Sequence, residues 1–220
     1  MKKRQSCKDK IILFDLDGTL IDSTEAIIES FAVTFSRFGC TMPDENLIKS
    51  QIGYPLDDMF VSLGVEIAKI EAYVQAYKQH YRKISCAKTR LLPMAREAIQ
   101  LASENANLGV VTTKTGKYSI ELLEFMKIMH YFDVLIGREN VTFPKPNPEP
   151  IEKALYQLPK VTSGVWMVGD TCMDMEAASS ANIESIGVLC GYGKEEDLLS
   201  CSKIIMPNSY EAVTHIMAIG

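Results

Sequence analysis

The chain has 220 residues, 47% of them hydrophobic, and a formal charge of −5. That is enough chain for one large domain, or a domain with an insert, at the apolar content of an ordinary soluble protein. The acidic balance argues against a nucleic-acid partner, which needs a basic face, and no apolar run reaches the length of a membrane span. The start, MKKRQSCKDK, is basic and runs into IILF, loosely like a secretion signal. Asp15 and Asp17 cut that apolar stretch too short, so a solvated basic tail on a cytoplasmic protein is expected. The six cysteines lack the paired spacing of zinc or redox sites and are expected as reduced thiols.

In chain order, IILF at 11–14 is continuously apolar rather than alternating, as a strand covered on both faces should be. Gly18 supplies a sharp turn where that strand would stop. Asp15 and Asp17 therefore fall at the carboxyl end of a buried strand, where open α/β sheets place their ligands. Residues 23–88 then contain helical patterns and no convincing strand. A βαβ unit needs about thirty residues, yet Asp15 and the next strand, LGVVTT at 108–113, lie far further apart. The segment 23–88 is thus an all-helical insert beside two carboxylates, the position of a lid.

Beyond the insert, AREAIQLASENANLG (95–109) reads as a helix with a glycine at its exit. Strand-like runs follow at 108–113, 132–137, 164–170, 183–189 and 203–206. Helical patterns at 116–132, 149–158 and 174–182 separate them, with Asn182 a helix stop. The alternation predicts an α/β fold with a parallel sheet flanked by helices. Its core spans 1–22 and 89–220, and the helical insert spans 23–88.

Four features sit at the ends of different predicted strands: Asp15 and Asp17; Thr112, Thr113 and Lys114; Lys145 in FPKPNPEP; and Asp170 and Asp174 in VGDTCMD. Strand ends of a parallel sheet converge on one edge, so these groups are expected to share a site. Two carboxylates about 4 Å apart repel by roughly 4 kcal/mol at an effective dielectric near 20. Four together call for protons or a cation. Oxygen ligands beside a lysine point to Mg²⁺ with a phosphate group, and no His or Cys cluster competes for zinc. His80, His130 and His215 fall within helical patterns and are expected to be structural or exposed. Cys172, between two of the acids, is expected to be a bystander thiol.

DLDGT, a strand ending in Thr, Lys before Pro, and GDTCMD, in that order, resemble the haloacid dehalogenase superfamily from Ile11 onward. IGYPL, KTRLLP, VVTTK, KPNPEP and CGYG are most similar to its phosphoglycolate phosphatase-like branch. The resemblance implies a Rossmann-like three-layer core with an inserted helical cap. It further implies a Mg²⁺-dependent phosphatase acting on a small phosphorylated metabolite, phosphoglycolate first. In that reading Asp15 is the nucleophile and Asp17 the general acid and base, while Thr112 and Lys145 bind the phosphoryl oxygens. Gly18 and Thr113 lie beside the substrate; Thr113 competes with Thr112 as hydroxyl donor. Asp15, the Asp17 backbone carbonyl and Asp170 hold Mg²⁺, with Asp174 a ligand or its support. Lys49, Tyr54, Lys83, Lys88 and Arg90 are the cap candidates for substrate choice. Hinges are expected near 22–23 and 87–89. Alternatives are a β-phosphoglucomutase-like sugar phosphomutase, a pyrophosphatase or nucleotidase, and a non-enzymatic phospho-acceptor. Monomer and homodimer are equally open.

Overall fold

The computed structural model describes residues 8–219. Residues 1–7 of the expected basic tail, Cys7 among them, lie outside these; Lys10, expected in that solvated tail, instead opens β1 and is buried. The central strand is β1 (Lys10–Phe14), buried throughout. Next come a two-residue strand β2 (Ile21–Asp22) and four helices: α1 (Thr24–Arg37), α2 (Glu45–Lys49), α3 (Leu56–Ser62) and α4 (Ile70–Lys88). The chain re-enters the core through β3 (Arg90–Leu91), α5 (Ala95–Asn105), β4 (Ala106–Val111), α6 (Gly116–Phe125) and β5 (Val134–Ile136). It ends with α7 (Glu149–Gln157), β6 (Val165–Gly169), α8 (Cys172–Ser180), β7 (Glu184–Val188), α9 (Glu195–Cys201), β8 (Ile205–Met206) and α10 (Ser209–Ala218).

Six strands form a parallel sheet in the order β5-β4-β1-β6-β7-β8. Two apolar layers explain why β1 is apolar from Ile11 to Phe14. Ile12 and Phe14 pack with Ile99, Leu122 and Val213 from α5, α6 and α10 on one face. Ile11 and Leu13 pack with Ile151 and Ala177 from α7 and α8 on the other. Period-two side chains with both faces covered leave no solvent-facing position to be polar.

Several boundaries differ from the sequence expectation. The helix expected over 95–109 stops at Asn105, and Gly109 lies inside β4 instead of capping the helix. A Cβ at Gly109 would sit 2.6 Å from a Leu13 methyl and 2.8 Å from Val134, so close strand packing decides that position. The helix expected over 116–132 ends at Phe125; Lys127 turns into the left-handed region and a short 3₁₀ turn, Met129–Tyr131, follows. Asn182 is also left-handed, after α8. The cysteine expectation is corrected: Cys172 and Cys201 form a disulfide, because the end of α9 packs on the start of α8. Cys40, Cys86 and Cys190 are free.

The four helices α1–α4 carry their own apolar cluster, with Phe31, Phe35, Phe60, Tyr73 and Tyr77 at its centre. Phe31 lies 5.0 Å, ring to ring, from both Phe60 and Tyr77, within the aromatic pairing range. Strands β2 and β3, entering and leaving this helical segment, pair antiparallel through Ile21–Leu91 and Asp22–Arg90. Among the described residues no helix is long and apolar enough to cross a membrane.

Candidate active site

Four groups from three of the predicted strand ends meet at the carboxyl edge of the sheet. Asp15 follows β1, Asp170 follows β6, Asp174 lies in the first turn of α8, and Lys145 comes from the loop between β5 and α7. All four are buried, at 4% exposure or less. The Lys145 ammonium donates to Asp15 Oδ1 at 2.6 Å, to Asp174 Oδ1 at 2.5 Å and to the Val111 carbonyl at 3.0 Å. One oxygen each from Asp15, Asp170 and Asp174 lie within 4.8 Å of one another.

Two glycine loops close over Asp170. Its Oδ2 accepts from the Tyr192 N–H at 2.7 Å and its Oδ1 from the Thr19 hydroxyl at 3.2 Å. A Cβ at Gly18, whose φ is +83°, would stand 2.3 Å from Asp170 Oδ2. Only glycine allows both that backbone angle and that approach. Asp174 has both oxygens engaged: the second accepts from the Thr171 N–H and hydroxyl at 3.1 and 2.8 Å in a capping box.

The electrostatics are those of a site short of positive charge. Burial pushes Asp15 up to about 7, Asp174 and Asp17 add to the rise, and Lys145 opposes it. Asp170 is driven well above the carboxylate range, first by burial and then by Asp15 and Asp174. Burial works against the Lys145 charge, but Asp15 and Asp174 outweigh it and raise its pKa. Three buried carboxylates gather around one ammonium that bonds only Asp15 and Asp174, and a divalent cation with oxygen ligands fits that imbalance.

Asp17 stands apart from this group. Its carboxylate accepts from Ser23 Oγ through Oδ1 and pairs with Lys114 at 3.1 Å through Oδ2, so it points toward the helical segment. Lys114 also donates to the Tyr81 hydroxyl at 3.0 Å, and Asp17 and Tyr81 outweigh burial to hold its pKa well above the usual lysine value. Thr112 is buried just past β4, its hydroxyl accepting from the Lys114 N–H at 3.2 Å. Thr113 donates to the Gly53 carbonyl at 2.7 Å, which ties it to the helical segment.

A cavity of about 100 Å³ lies between Asp17 and helices α3 and α4, lined also by Tyr54, Lys78, Lys114 and Arg138. Of the five cap candidates, only Tyr54 reaches it. Lys49 pairs with Glu45 on its own helix, Lys88 with Glu25 and Glu29, Arg90 lies 70% exposed near Asp22, and Lys83 is exposed. The sequence placed Lys114 among the groups of the site but gave no role to Lys78, Arg138 or Tyr192. Lys114 and Tyr192 stand inside the VVTTK and CGYG motifs; Lys78 and Arg138 have no such marker. Among the histidines, His80 pairs with Glu29 at 3.0 Å and His130 packs on Tyr131.

The sequence profile described as haloacid dehalogenase-like hydrolase matches residues 12–188. A pyrophosphatase, PpaX, of Oceanobacillus iheyensis is 30% identical over 181 residues, 81% of this chain and 83% of that protein. A phosphoglycolate phosphatase of Aquifex aeolicus is 30% identical over 186 residues, 84% and 87% of the two chains. A solved haloacid dehalogenase-like family hydrolase from Streptococcus pneumoniae superposes with a TM-score of 0.82 at 29% identity, covering 93% of this chain and 97% of that one.

Proposed function

The chain is a member of the haloacid dehalogenase-like hydrolases, and from that premise we propose that it is a Mg²⁺-dependent phosphatase of small phosphorylated metabolites. The single observation that carries this reading is the meeting of Asp15, Asp170, Asp174 and Lys145 in one buried cluster. Asp15 attacks phosphorus in line; the bond to the ester oxygen breaks and an aspartyl phosphate forms. Asp17 gives its proton to the departing oxygen. It then takes a proton from the water that attacks the aspartyl phosphate, releasing phosphate and restoring Asp15. Lys145 and the Thr112 hydroxyl donate to the phosphoryl oxygens as negative charge gathers there. The Lys114 and Ser23 contacts hold the Asp17 carboxylate toward the leaving-group side.

Mg²⁺, when bound by Asp15, Asp170 and the Asp17 backbone carbonyl, supplies the positive charge that lets an anionic nucleophile approach an anionic substrate. Asp174, already bonded to Lys145 and Thr171, supports that set from outside. Residues 23–88 act as a cap on the core formed by 1–22 and 89–220, with the β2–β3 pair as its hinge. Phosphoglycolate is the first substrate candidate, after the Aquifex aeolicus relative, and pyrophosphate the second, after the Oceanobacillus iheyensis one. Phosphate release from a broad panel of phosphate esters and anhydrides, with and without Mg²⁺, is the test. Mg²⁺-dependent release is expected; none from any substrate would refute the reading.

A further inference from the structure

The cavity beside Asp17 has an apolar floor, with Ile52, Met59 and Val74 from the helical segment, and a cation on each side. Lys78 comes from α4 in the cap, and Arg138 from the turn after β5 in the core. Both are half-buried, and among the described residues neither forms an ion pair. Arg138 spends one guanidinium nitrogen on the Val141 carbonyl at 3.2 Å. Two acids also line the cavity, Asp17 and Asp57. Asp17 is already paired with Lys114, which leaves Asp57 as the other acid of the lining, with no ion pair among the described residues. Glu139 and Asp58 feel Lys78 and Arg138 only as neighbouring charges. Half-buried cations left without ion-pair partners around a small, half-open cavity are arranged for an anion that arrives from outside.

Resting on the phosphatase reading above, we propose that Lys78 and Arg138 form a second anion subsite, which selects phosphate esters and anhydrides whose leaving group is short and carries its own negative charge. Asp17 marks the leaving-group side of the site, and the cavity opens there. Its volume of about 100 Å³ is well under the roughly 300–1,000 Å³ of pockets that take drug-sized ligands. The leaving group is therefore small. A cation from the cap and one from the core contact the same anion, so a substrate of this class also links the two parts as it binds.

The test compares kcat/KM for phosphoglycolate, inorganic pyrophosphate and hydroxyethyl phosphate, the last replacing the carboxylate by an uncharged group of similar size. In the wild-type protein at least one anion-bearing substrate is expected to exceed hydroxyethyl phosphate by about tenfold or more, the scale of one charged hydrogen bond. Lys78→Met and Arg138→Met should each shrink that ratio, mainly through KM. A wild-type ratio within about twofold of unity, or a ratio unchanged in both variants, overturns the subsite and leaves the phosphatase reading standing. So does cleavage confined to esters with uncharged or bulky leaving groups. Hydrolysis of nothing across the panel removes the phosphatase reading and the subsite with it.

Discussion

Asp15 is held in a position that only a cation or a proton can ease. Its carboxyl rises from 3.8 to about 7, so the folded chain without metal takes up a proton as pH falls through about 7. The unfolded chain waits until about 4. Between those values the folded state binds more protons, and its stability rises as pH is lowered; above pH 7 the cost of the buried charge is fully present. A divalent cation offsets that cost. The expected outcome is a Tm increase on adding Mg²⁺ that is larger near about pH 8 than near about pH 5, measured by thermal melts at matched ionic strength. Lys145→Met removes the one ammonium shared by Asp15 and Asp174 and should destabilise the protein by roughly 3–5 kcal/mol, the scale for a broken buried pair. Urea unfolding measures it, and Mg²⁺ should restore part of the loss. Asp15→Asn keeps the shape and removes the nucleophile, so turnover should be abolished while the circular dichroism spectrum is unchanged. Asp17→Asn should be nearly as damaging through lost proton transfer.

At the scale of single elements, the sequence marked most strands and helices but misplaced their ends. Gly109 read as a helix stop because glycine usually is one, while here a strand needs it for close packing against Leu13 and Val134. The helix read through 132 breaks at Lys127, which adopts a positive φ that no local residue signals. Met94, at the entry to α5, has a φ of 63° and is 42% exposed. A left-handed conformation costs an L-residue with a Cβ about 1–2 kcal/mol, and glycine avoids it. Met94→Gly is therefore expected to raise stability by about 0.5–1 kcal/mol, seen as a higher urea midpoint at unchanged slope. Lys49, Lys83, Lys88 and Arg90 were reasonable candidates by charge. Their elements, helices for the lysines and β3 for Arg90, carry them away from the cavity or into pairs with Glu25, Glu29 and Glu45.

For the whole molecule, the decisive feature is the junction between the helical segment and the sheet. Thr113 to Gly53, Lys114 to Tyr81 and Arg82 to Glu121 all cross it. The Thr24 and Tyr192 hydroxyls meet across it as well, at 3.0 Å; opening of the cap would break these few polar links while the short β2–β3 ladder stays paired. Limited proteolysis near 22–23 and 87–89 is expected to slow when a phosphate analogue and Mg²⁺ are present; equal cleavage rates would argue against a moving cap. The same junction explains why no local pattern in the sequence marks Lys78 and Arg138. One stands on a cap helix and the other after a core strand, and only their packing gives them a common neighbour.

The sequence by itself determined the parallel α/β architecture, the helical insert, and the acids and lysine of the buried cluster. Continuous apolar strands alternating with helices need a sheet covered on both faces, and parallel strands put their polar ends on one edge of it. Tertiary structure alone decided the rest: that the Asp17 carboxylate turns away from Asp15, that Thr113 bonds to Gly53, that Cys172 meets Cys201, and which cations face the cavity. These outcomes depend on how separately formed elements pack against one another, and no local pattern of residues encodes that contact.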